Sequence, residues 1–100
     1  MEKDIEKMLT EGVKKMGGRC LKWVSPGNDG VPDRIVIMPG GRIWFVELKD
    51  DGGQLSELQK YWRKVLSDLG CRAVAVRGQD MARFFLQELR AMSREVRDEV

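Results

Sequence analysis

The sequence predicts a layered α/β fold with the element order α-β-β-β-α-β-α, and three observations carry that prediction. Apolar residues recur at helical spacing in three separate segments, β-prone runs lie between them, and glycine-rich clusters punctuate the junctions. The chain has 100 residues, 42% apolar and 34% charged, without repeats, low-complexity tracts or linker-like stretches, so residues 1–100 read as one domain.

From Glu2 to Met16, the residues Ile5, Met8, Leu9, Val13 and Met16 fall on one helical face, and Gly17-Gly18 supplies a left-handed stop. Cys20 to Val24 is a short β-prone run. The turn formers Ser25-Pro26-Gly27-Asn28-Asp29-Gly30 follow it and predict a loop. Asp33 to Met38 and Arg42 to Lys49 are rich in Ile, Val, Trp and Phe, and Pro39-Gly40-Gly41 between them predicts an antiparallel hairpin. Asp50-Asp51-Gly52-Gly53 ends the hairpin. Leu55, Leu58, Tyr61 or Trp62, Val65, Leu66 and Leu69 then mark a second helix, with Ser56 available as its cap and Gly70 as its stop. Cys71 to Arg77 reads as a buried strand around Ala73, Val74, Ala75 and Val76, and Met81 to Val96 returns to helical spacing.

Composition narrows the chemistry. No apolar run approaches the ~18 residues of a membrane span and no basic-then-apolar leader is present, so a cytoplasmic protein without a membrane partner is expected. Cys20 and Cys71 are too few for a disulfide framework and lack zinc spacing, so both are expected reduced and buried. The absence of His excludes His-based triads and His-rich metal sites, leaving carboxylates, Lys, Tyr, Ser or Cys for any catalysis. Basic and acidic residues nearly cancel, 18 against 16, so the placement of the acids decides which partner the charge suits.

With the predicted turn centred on Gly40, Asp33 falls opposite Glu47 on the two strands. Cross-strand Cβ atoms lie roughly 5 Å apart, so two carboxylates there repel at neutral pH unless a cation sits between them. Lys49 points to the same face because strand side chains alternate. Oxygen ligands of this kind suit Mg²⁺ or Mn²⁺ rather than zinc. An isolated Glu-x-Lys triplet is as easily a pair of solvated residues on an edge strand. Here Ile35 and Ile37 share the face of Asp33, and Val36, Trp44, Val46 and Leu48 take the other, so both faces look covered and charges at the strand end call for a ligand.

Pro32-Asp33, followed after 13 intervening residues by Glu47-Leu48-Lys49, resembles the PD-(D/E)xK nuclease superfamily. Its setting includes a Glu-bearing first helix, Gly17-Gly18, Lys22, Ser25-Pro26-Gly27, Gly30-Val31-Pro32-Asp33-Arg34, Pro39-Gly40-Gly41, Phe45-Val46-Glu47-Leu48-Lys49 and Gln59. Together these are similar to the stand-alone, phage-type VRR-NUC domain, the virus-type replication-repair nuclease, from about Glu2 to Val76. The resemblance implies a restriction-endonuclease-like fold, a mixed four-stranded sheet flanked by helices. It also implies that Asp33, Glu47 and the backbone carbonyl of Leu48 hold Mg²⁺ or Mn²⁺, with no organic cofactor. Lys49 would orient or deprotonate the attacking water, and Gln59 would line the site. A Glu on the first helix completes such sites, and here Glu6 is favoured over Glu2, which lies nearer the terminus. Lys22 and Arg34 are expected on DNA phosphates, and Gly30, with Gly27, would let the loop backbone approach one.

Committing Glu6, Asp33 and Glu47 to a metal leaves 13 acids against 18 bases, a balance suited to a polyanion. Trp23, Trp44, Tyr61 and Trp62 are more readily core residues than base-stacking platforms. Phe85, Leu89, Met92 and Val96 recur along the last helix, either closing the core or meeting a second copy. By resemblance, stand-alone members are homodimers that cleave four-way (Holliday) DNA junctions, with two sites related by two-fold symmetry. The leading expectation is a metal-dependent, structure-selective DNA endonuclease acting on branched DNA in phage replication, recombination or repair. The alternatives are a flap or nick nuclease working with a replication or repair partner, and a non-catalytic nucleic-acid-binding module retaining the nuclease fold.

Overall fold

The computed structural model describes residues 2–99, with side chains described through Met92. The order is α1 (Glu2–Lys15), β1 (Arg19–Lys22), β2 (Arg34–Met38), β3 (Arg42–Lys49), α2 (Glu57–Asp68), β4 (Arg72–Arg77) and α3 (Gly78–Glu99). Four strands form one mixed sheet in the order β1-β2-β3-β4, antiparallel except for the parallel pair β3 and β4. A parallel neighbour needs a crossover, and α2 supplies it. The predicted fold class and element order are those observed.

The two faces of the sheet differ. Val36, Met38, Trp44, Val46, Leu48 and Val76 point to one side, where Ile5, Leu9 and Val13 of α1 and Ala82, Phe85, Leu86 and Leu89 of α3 complete the core. Each fully buried aliphatic side chain there contributes roughly 1.5–3 kcal/mol by leaving water. The edge of Phe85 meets the Trp44 ring at 6.3 Å, and the Arg72 guanidinium lies over the same indole. Phe85 and Leu89 thus close the core, with Met92 packed against it, while the Val96 side chain lies outside those described.

The other face is only partly covered. Ile37, Ile43 and Leu21 are exposed in the middle of their strands, which corrects the expectation of a hairpin apolar and covered on both sides. The reason lies in α2, which crosses over beside β4 and leaves the hairpin open. Of its expected apolar stripe only Leu66 is buried, and Leu58, Tyr61 and Leu69 are exposed. Cys20 is buried and Cys71 half-buried, both free thiols. Among the described residues no helix is long and apolar enough to cross a membrane.

Candidate active site

The site is built at the open end of the β2–β3 hairpin. The turn at Pro39-Gly40-Gly41 pairs Arg34 with Val46 and Met38 with Arg42, the register expected from a turn centred on Gly40. One step beyond, Asp33 faces Glu47. Asp33 is held from both sides: its carbonyl accepts the Trp23 N–H at 2.8 Å, and its Oδ2 accepts the Leu48 N–H at 2.9 Å. Trp23 in turn packs on Phe45 with ring centroids 5.2 Å apart.

Glu47 is 6% exposed, and burial, then the charge of Asp33 and a hydrogen bond with it, push its carboxyl up to about 8; Lys49 pulls it down and Glu2 adds a smaller upward push. A buried carboxyl facing another carboxylate is costly to ionise without a nearby cation. Gln59 Nε2 donates to Glu47 Oε1 at 2.8 Å. The amide is aimed by the start of α2, where the Ser56 N–H donates to Gln59 Oε1 and the Gln59 N–H donates to Ser56 Oγ, a reciprocal capping box. Ser56 therefore caps the helix as its type and position suggested, and the same bonds orient the glutamine. The stem of the half-buried Lys49 runs under Gly53, where a Cβ would stand 3.2 Å from that of Lys49.

The remaining expected residues fall elsewhere. Glu6 lies against Arg34, and the two form an ion pair on the α1 side of the sheet, away from the face of Asp33 and Glu47. Arg34 is 9% exposed and neutralised within the protein, so it is not presented to a phosphate, and the Glu6 carboxylate is occupied by Arg34. Glu2, one helical turn earlier, is the α1 carboxylate whose charge acts on Glu47. Gly30 has φ +93°, and a Cβ there would stand 2.6–2.9 Å from Leu58, backbone included. Its smallness lets the loop pack on α2, which is a structural reason different from the expected approach to DNA. Trp62 fastens the same loop through its indole N–H, which donates to the Asp29 carbonyl at 3.0 Å. Lys22 is exposed at the end of β1.

Among the described residues no group of three or more His, Cys, Asp or Glu side chains converges as a metal cage. Asp33 and Glu47 still fit a hard divalent ion. Mg²⁺ keeps several waters and binds through one or two carboxylates, and a cation between these two would relieve the repulsion that raises Glu47.

Comparisons with known proteins bear on the family. Residues 3–80 match the VRR-NUC domain family. The chain is similar to the "Putative nuclease p44" of Acyrthosiphon pisum secondary endosymbiont phage 1, with 42% identity over 81 residues, covering 81% of this chain and 87% of that protein. A solved structure described as a VRR_NUC domain superposes with a TM-score of 0.81 at 28% identity, covering 86% of this chain and 94% of its own. The hairpin that opposes Asp33 to Glu47, the glutamine that the second helix presents to them and the match over residues 3–80 have one reading: this chain belongs to the VRR-NUC domain family.

Proposed function

We propose that the protein is a Mg²⁺- or Mn²⁺-dependent, structure-selective DNA endonuclease that cuts four-way junctions as a homodimer. The observation that carries this is the buried Glu47 opposed to Asp33, with Lys49 acting on the same carboxyl and Gln59 bonded to it. A divalent ion held there would lower the pKa of its water and stabilise charge on the phosphate. Asp33 and Glu47 would supply the hard oxygens that hold it, together with the Leu48 carbonyl, with Glu2 the α1 carboxylate whose charge reaches Glu47. The Leu48 N–H and the Gln59 amide fix the two carboxylates, so that little reorganisation is needed when substrate arrives. Lys49 carries an ammonium to the same centre, where it orients the attacking water and donates to the phosphate oxygens as charge develops.

For the dimer, exposed Met81 and Phe84 on α3 offer apolar surface to a second copy, whereas Phe85 and Leu89 are spent on the core. The test is cleavage of labelled four-way junctions, flaps and linear duplex in Mg²⁺, Mn²⁺ or chelator, beside Lys49→Ala. Paired nicks on the junction, lost with chelator and with the variant while DNA binding and melting temperature persist, are expected. Preference for flaps or nicks would move the assignment to a partner-dependent nuclease. Binding without cleavage in every metal would indicate a non-catalytic module.

A further inference from the structure

Arg77 closes β4, and the parallel register sets it directly beside Lys49 on β3. Partners in a parallel pair share a face and neighbouring strands are about 4.8 Å apart, so Arg77 lies on the face of Glu47 and Lys49 rather than on that of Leu48 and Val76. It is half-buried, and its Nε, shielded from solvent, has no hydrogen-bond partner among the described residues. A buried donor without an acceptor costs free energy, which the guanidinium recovers if it turns outward to an incoming anionic oxygen.

The nearest acids along the chain do not neutralise it. Asp80 pairs with Arg83, the carboxylate of Asp51 lies against Gly78, and neither forms an ion pair with Arg77 among the described residues. Two cations side by side at the carboxyl ends of parallel strands, where α/β sheets commonly bind ligands, make a cradle for an anion.

Resting on the nuclease reading above, we infer that Arg77 binds a backbone phosphate of the nucleic acid, next to the one attacked, and so positions the strand across the site. Its planar fork can take two phosphate oxygens, a geometry that Lys49, a point charge, does not supply.

The test is a titration of a labelled four-way DNA junction with Lys49→Ala protein, with and without Arg77→Ala, in Mg²⁺ over a series of KCl concentrations. Removing Arg77 should weaken binding roughly tenfold and lower the slope of log affinity against log salt by about one. On the Lys49→Ala background Arg77→Lys should restore the salt slope but only part of the affinity, a pattern that a packing role would not produce. In the otherwise native enzyme Arg77→Ala should raise KM with kcat changed only a few-fold. Should Arg77→Ala fail to fold, Arg77→Gln, which keeps most of the stem, carries the same readings. Unchanged affinity and salt slope in a folded variant would overturn the inference while leaving the nuclease reading intact; absence of any junction binding by the Lys49→Ala protein would overturn both.

Discussion

Arg34 and Glu47 are the two charged residues buried among those described, and they sit a step apart at the same end of the same hairpin. On the α1 face Arg34 meets Glu6, an opposite charge, and the pair is complete in itself. On the other face Glu47 meets Asp33, a like charge, and its proton is held far above the usual carboxylate range. The difference teaches how to read a buried charge. One that is neutralised inside the protein supports the fold, whereas one opposed by its own sign is stable only with a partner the chain does not supply, which is what a functional site requires.

Replacing Glu47 with Gln keeps its shape but removes its charge, and cleavage should fall by at least ~100-fold, with Mn²⁺ affinity by calorimetry lost in parallel. Retained activity would break the contrast at its stronger end. The pH dependence of the metal-free protein sharpens it further. Because the Glu47 carboxyl is raised to about 8 in the folded state, the folded protein holds a proton that the unfolded chain releases above its ordinary value. The stability this contributes is complete below that ordinary value and is lost as pH rises through about 8, with a slope of at most about 1.4 kcal/mol per pH unit. Chemical denaturation in chelator should therefore show stability falling from pH 5 to pH 8, and Glu47→Gln should flatten that trend.

On the other face, Arg34→Ala removes a buried stem and leaves Glu6 unpaired, and should cost about 2 kcal/mol, lowering the melting temperature by roughly 10 °C. The smallest effects separate Glu2 from Glu6 on α1. Glu2→Gln should weaken Mn²⁺ binding several-fold without a change in melting temperature. Glu6→Gln, at a side chain 45% exposed, should cost under about 1 kcal/mol and leave Mn²⁺ affinity unchanged. The reverse result would return the assignment to Glu6.

Much of this was legible in the chain. The Pro39-Gly40-Gly41 turn set the hairpin register, and the register brought Asp33 opposite Glu47, because a two-residue period and a short turn leave no freedom. Ser56 read as the cap of the second helix, but only the structure shows that Gln59 closes a capping box with it and that the box aims the amide at Glu47. Glu2 and Glu6 were indistinguishable by helical face, since what separates them is how far α1 projects past the sheet. Arg77 carried no local signal. It read as the last residue of a buried strand until β4 was known to lie parallel beside β3.

The sequence by itself determined the elements, their order and the opposed carboxylates, all consequences of periodicity and turn chemistry acting over a few residues. Tertiary structure alone decided which glutamate Arg34 neutralises, that Gly30 must be small to admit α2, and which face of the hairpin stays open. Those outcomes depend on the crossover of α2 and the pitch of α1 against the sheet, which arise from packing between segments distant in the chain.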